Sequence, residues 1–240
     1  MLDPKEKGVI KSVVADEIDK FIEKMNNKKP HKNNFITDKL NSTFVFYSSF
    51  SRSFDSTLGN TFEKIAIRLA TYFYGDSKVY APDSGADLVI LKNSTCYVIE
   101  LKLGGNLDSK KLPKEFSALR EYYDKKNNEL PWKKTEQKPN FNTLFDISNN
   151  SQIENLKEIK PLYCLATVYI EDEVKHKLEN YKFKDNESLL LQEKFWNLVC
   201  NDKKDGFETI LEAYNKKVPE INVLLDFNKK NKVSTQLKFN

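Results

Sequence analysis

DSGADLVILKNSTCYVIELKLGG, residues 83–105, is the stretch from which the fold is read. Two apolar runs, residues 88–91 and 96–103, flank Asn93-Ser94, and β-forming residues on either side of a short polar turn predict a hairpin. A turn at Asn93-Ser94 sets Lys92 opposite Thr95 and Leu91 opposite Cys96; counting outward, Asp87 falls across from Glu100. Side chains alternate along a strand, so Cys96, Val98, Glu100 and Lys102 share one face while Tyr97, Ile99, Leu101 and Leu103 share the other. Two carboxylates thus meet with a lysine beside them. Like charges directly opposite destabilise an antiparallel ladder, and a cation between them is the simplest compensation. The constellation reads as a metal site, and hard oxygen ligands favour magnesium over zinc. It also reads as a solvated charge cluster at a strand end. Against that second reading, the charges interrupt runs apolar enough for a hairpin buried on both faces, and Gly104-Gly105 allows close approach of a bulky ligand.

A chain of 240 residues buries a sizeable core. The expected organisation is a single domain over residues 1–240, with a core at about 40–170 and a helical C-terminal part at about 171–240. Charged residues make up 31% of the chain but the net charge is only +4, so non-specific affinity for nucleic acid has to come from local patches. Of the 39 basic residues only Arg52, Arg68 and Arg120 are arginine, which leaves few candidates for bidentate guanine reading. Cys96, Cys164 and Cys200 lie far apart in apolar contexts and read as reduced core thiols. No apolar run approaches membrane-spanning length and the N-terminus lacks a signal-peptide core, so a soluble, cytoplasmic protein without membrane contact is expected.

Asp3-Pro4 suits a helix start, and Ile10, Val13, Val14, Ile18, Phe21, Ile22 and Met25 recur at helical steps. Residues 26–34 form a polar basic loop. Residues 43–47 read as a strand, followed by a hydroxyl-rich loop in which Ser51, Arg52 and Ser53 are candidates for contact with a phosphate or base edge. The next helix is expected to begin near Asn60 and to bury Phe62, Ile65, Ala66, Leu69, Ala70 and Phe73. Glu63 falls in its first turn, where Asn60-x-x-Glu63 also reads as a capping box. Past the hairpin, Pro113 opens a helix with Phe116, Leu119 and Tyr123 on one side. A polar, basic stretch over residues 127–150 follows, with Trp132, Phe141 and Phe145 interleaved among Lys133, Lys134 and Lys138. Residues 161–170 predict another strand of the same sheet, residues 189–200 and 207–216 two helices, and residues 221–227 a terminal strand or packing segment before a frayed lysine-rich tail.

Asp87 followed by Glu100-Leu101-Lys102 resembles the PD-(D/E)xK nuclease motif of type II restriction endonucleases. A literal Pro-Asp occurs as Pro82-Asp83, four residues too early for the hairpin register, so Asp87 takes the Asp role and Asp83 is the alternative. Residues 49–66 and 195–214 also look like parts of restriction enzymes that cut short palindromes of the GG-N-CC kind. The resemblance implies an α/β fold, a mixed central β-sheet flanked by helices, with a restriction-endonuclease-like core and additional helices. It further implies hydrolysis of double-stranded DNA with Mg2+ held by Asp87, Glu100 and the Leu101 carbonyl. Lys102 would orient or deprotonate the attacking water, and Glu63 would complete the metal site. The expected products carry 5′-phosphate and 3′-hydroxyl ends, and a homodimer is expected from the single constellation and a palindromic target. A repair or junction-resolving nuclease of the same fold, and a non-catalytic DNA-binding protein, are the alternatives. The sequence has no phosphate loop, no GxGxxG turn and no cysteine-histidine zinc spacing, and His31 and His176 are its only histidines.

Overall fold

The computed structural model describes residues 1–27, 42–104, 110–134, 159–169, 178 and 181–236, with 42–49, 133–134 and 224–236 described by backbone alone. The elements in chain order are α1 (Pro4–Asn26), α2 (Ser42–Tyr74), β1 (Val79–Tyr80), β2 (Leu88–Lys92), β3 (Thr95–Lys102), α3 (Leu112–Lys126), α4 (Pro131–Lys134), β4 (Lys160–Thr167), β5 (Glu187–Leu191), α5 (Glu193–Val199) and α6 (Gly206–Gln236). They form two compact units, one of Met1–Ile65 with Phe207–Asn240 and the other of Ala66–Gly206.

The first unit is helical. Asp3 caps α1 in a reciprocal box with Glu6, its Oδ1 accepting from Glu6 N–H at 2.8 Å while Glu6 Oε2 accepts from Asp3 N–H at 2.7 Å. The stripe Ile10, Val13, Val14, Ile18, Phe21 and Met25 is buried, and Phe21 meets Phe54 edge-on at 5.1 Å. Phe62 packs on Tyr214 of α6 at 5.6 Å. The ion pairs Lys11–Glu212 and Lys217–Asp19 are screened by solvent on at least one partner and contribute little. The buried apolar side chains, at about 1.5–3 kcal/mol each, hold this unit together.

The second unit carries a five-stranded mixed sheet in the order β1-β2-β3-β4-β5. The hairpin forms in the expected register, antiparallel with Lys92 against Thr95, Leu91 against Cys96 and Leu88 against Ile99; Asn93 supplies the positive φ of its turn, 54°. β1 pairs antiparallel with β2, whereas the β3–β4 and β4–β5 pairings are parallel. On one face Val89, Leu91, Cys96, Val98, Tyr163 and Leu165 pack with Leu112, Phe116, Leu119 and Tyr122 of α3 and with Trp132. On the other, Leu88, Ile90, Ile99, Cys164 and Ala166 are buried too, and Tyr74 Oη at the end of α2 donates to Leu198 O of α5 at 2.6 Å. A sheet covered by helices on both faces is the α/β architecture that its near-continuous apolar strands require. Cys96, Cys164 and Cys200 are free and buried, and burial pushes the Cys96 thiol up to about 12.

Several expectations are corrected. Residues 43–47 are not a strand, residues 51–53 are not a loop and no helix starts at Asn60, because α2 is one 33-residue helix that includes them all. The β-forming Thr, Val, Phe and Tyr of that segment lose to tertiary context: Phe54, Thr57, Thr61 and Ile65 recur at helical steps on a half-buried to buried face. Residues 189–191 belong to strand β5, which pairs with β4, and only then does α5 begin, after a break at Gln192 with φ 40°. Residues 221–227 continue α6, which runs through Pro219 to Gln236. Gly104, at φ 148°, lies against the protein's own backbone, where a Cβ would clash with Tyr169 O. Residues 28–34, Gly105, Lys138, Phe141, Phe145, His31 and His176 fall outside the described residues.

Edge strand β5 is pinned by charge. Arg120 Nη1 on α3 donates to Glu187 Oε1 at 2.6 Å, its guanidinium lies 5.8 Å from the Tyr163 ring centroid, and the Glu187 side chain is only 1% exposed. Arg120→Ala is therefore expected to lower stability by about 2–3 kcal/mol in urea unfolding. That is below the ~3–5 kcal/mol of a fully buried pair, because Arg120 is 27% exposed and Lys184 N–H still binds the carboxylate.

Candidate active site

The hairpin's open end places the charges. Just beyond the last paired residue of β2, Asp87 N–H donates to Ile99 O at 2.9 Å. Its side chain then takes over from the backbone, with Oδ2 accepting Leu101 N–H at 2.7 Å. This bond fixes the carboxylate against β3 and across from Glu100. Lys102 Nζ donates to Glu100 Oε1 at 2.6 Å and lies 3.9 Å from Glu115 Oε1 of α3. The second distance is within ion-pair reach but too long for a hydrogen bond.

Alternation along β3 turns Glu100 and Lys102 toward the face covered by α3, in line with buried Val98 and Cys96. α3 begins at Leu112 with Pro113 in its first turn, and this start sets Glu115 one turn in, next to buried Phe116. Glu100, Lys102 and Glu115 are 29%, 27% and 25% exposed, so the cluster is wet on one side and lined by protein on the other. It stands at the C-terminal end of β3, beside parallel β4, where open α/β sheets leave the crevice in which ligands bind. Burial pulls the pKa of Lys102 down, but its hydrogen bond to Glu100 and the charges of Glu100, Glu115 and Asp87 outweigh this and raise it above the ordinary lysine value. Lys102 therefore carries its positive charge at neutral pH.

Of the residues singled out from the sequence, Asp87, Glu100, Leu101 and Lys102 come together. Asp83 is exposed on the approach to β2. Ser51 and Arg52 are exposed on α2, and Ser53 and Glu63 are half-buried there, all within the first unit. The capping role considered for Glu63 is overturned, because Asn60 and Glu63 sit in the body of α2. Glu115 went unnoticed in the sequence. Its one signal was an acidic residue in the first turn of a helix crossing over the motif strand.

Among the described residues no three His, Cys, Asp or Glu side chains form a group able to hold a metal. The donor set is nevertheless of a kind that suits magnesium, which keeps several waters and takes one or two carboxylates. A residue's N–H and C=O point to the same side of its strand, so the Leu101 carbonyl lies on the Asp87 side, as its N–H does.

Residues 6–81 match the family model described as type II restriction endonuclease, HinfI. Over this third of its length the chain is similar to the type II restriction endonucleases. The matched stretch takes in most of α1, all of α2 and strand β1, and stops short of the hairpin with its charges. No curated protein sequence gives a significant match to the chain. No helix among the described residues is long and apolar enough to cross a membrane.

The loop leading into Asp87 depends on Gly85. It adopts φ 90°, and a Cβ there would lie 2.6 Å from Cδ2 of buried Tyr122. Gly85→Ala combines backbone strain with a ring clash and is expected to cost roughly 1–3 kcal/mol by urea unfolding.

Proposed function

We propose that this protein is a type II restriction endonuclease that hydrolyses phosphodiesters of double-stranded DNA in a Mg2+-dependent reaction at a short palindromic site, acting as a cytoplasmic homodimer and leaving 5′-phosphate and 3′-hydroxyl ends. The observation that carries the reading is the pairing of Asp87 with Glu100 across the hairpin, with Lys102 Nζ 2.6 Å from Glu100. Asp87 and Glu100 would hold the cation, with the Leu101 carbonyl as a third oxygen. The bound ion would supply charge stabilisation at the scissile phosphate. Lys102 would orient or deprotonate the attacking water and neutralise phosphoryl oxygens. Ser51, Arg52 and Ser53, on one stretch of α2, are the proposed DNA contacts. Glu63 is the proposed additional carboxylate.

The direct test is plasmid digestion with and without Mg2+. Discrete fragments are expected; structure-selective nicking would indicate a junction or repair nuclease, and binding without cutting a non-catalytic protein. Asp87→Ala, Glu100→Ala and Lys102→Ala are each expected to lower cleavage at least ~100-fold with the fold intact by circular dichroism, while Asp83→Ala cuts normally. Wild-type cutting by any of the three would remove the hairpin from the mechanism. Glu63→Gln removes the charge at nearly constant shape, so a metal-linked Glu63 predicts a large loss of turnover and unchanged turnover would end that role.

One constellation per chain supplies one cut, and a twofold dimer matches the symmetry of a palindrome. Mixing wild type with Lys102→Ala should therefore give nicked circles from hybrid dimers. Linearisation at a non-palindromic site by a monomer would reject the dimer.

A further inference from the structure

We infer that Glu115 is a positioning residue that receives Lys102 when Glu100 turns to a cation. This rests on the metal-dependent reading above and adds to it a residue outside the motif. Glu100 has two calls on the same carboxylate. In this structure Oε1 accepts from Lys102 Nζ at 2.6 Å, and an ammonium this close opposes the approach of a second cation. For Glu100 to turn both oxygens to a cation, Lys102 has to release Oε1, and a partly buried ammonium is best received by another charged acceptor.

Glu115 is placed for that. Its Oε1 stands 3.9 Å from the same Nζ, one small side-chain rotation short of a hydrogen bond, and it comes from a different element, so it need not move with Glu100. Glu115 is anchored next to Phe116, whose ring is fully buried in the core between α3 and the sheet, so its backbone is held. The lysine thus has two acceptors, one on its own strand and one on α3. Transfer between them would free Glu100 for the ion while keeping the ammonium beside the reacting phosphate. Asp87 is not an equivalent second acceptor, because it is itself a proposed ligand of the same cation and its Oδ2 is held by Leu101 N–H.

The test is a double-mutant cycle read by calorimetric Ca2+ binding to the full chain without DNA, alongside Mg2+-dependent cleavage. Wild type is expected to bind Ca2+, and Asp87→Ala to lose that binding. Glu115→Gln is expected to bind Ca2+ about tenfold more weakly, a coupling of the size seen between contacting charged residues. In the Lys102→Ala background, where nothing competes for Glu100, Glu115→Gln should have no further effect. The cleavage defect of Glu115→Gln should be relieved by raised Mg2+, whereas that of Lys102→Ala should not. If Glu115→Gln proves too unstable to assay, Glu115→Asp in the same two backgrounds takes its place, with its longer reach to Nζ expected to give a smaller defect of the same pattern. Wild-type Ca2+ affinity in Glu115→Gln would overturn the inference, and so would a defect that persists without Lys102, since Glu115 would then act on the ion directly. Absence of Ca2+ binding in the wild type, or binding indifferent to Asp87, would instead bring down the metal-dependent reading itself.

Discussion

The hydrogen bond from Leu101 N–H to the Asp87 carboxylate is where the fold and the site become one object. β3 is bonded by β2 on one side and β4 on the other, and at the hairpin mouth the backbone of β2 runs out before β3 does. A side-chain oxygen continues the ladder. A carboxylate that accepts a strand N–H cannot wander, so the separation of Asp87 from Glu100 is set by sheet geometry rather than by side-chain flexibility. The cost is two like charges facing each other, and Lys102 offsets it from two residues along the same strand.

Support for that arrangement comes from both sides of the sheet. Buried Val98, Leu165 and Phe116 pack under the charged end on the α3 side, and Ile99 and Ala166 anchor the opposite face. Exposed pairs such as Lys125–Glu121 contribute little here. The ion pair that matters is Arg120–Glu187, since it joins the helix carrying Glu115 to the strand at the far edge of the sheet.

What was legible in the sequence was what depends on short range. A two-residue turn between alternating β-formers determined the register of β2 and β3, and with it the meeting of Asp87, Glu100 and Lys102. The capping box of α1 and the apolar spacing of α1 and α3 were equally local. What failed was not settled by local composition: residues 43–47 have the composition of a strand, yet their backbone is part of α2. β5 was hidden because Leu189, Leu190 and Leu191 suit a helix as well as a strand, and their choice is made by pairing with β4. Glu115 was out of sight for the same reason, since its relation to Lys102 exists only once α3 lies on the sheet.

The two ends of β3 differ sharply in what they tolerate. Between β2 and β3 the chain has only Asn93 and Ser94, and one residue gained or lost there would slip the pairing, turning Glu100 and Lys102 onto the side now held by Ile99 and Leu101. Between β3 and β4 the chain runs from residue 103 to residue 159, and the parallel register does not depend on how long that excursion is. Length variation can therefore accumulate after β3 and is forbidden at the turn before it.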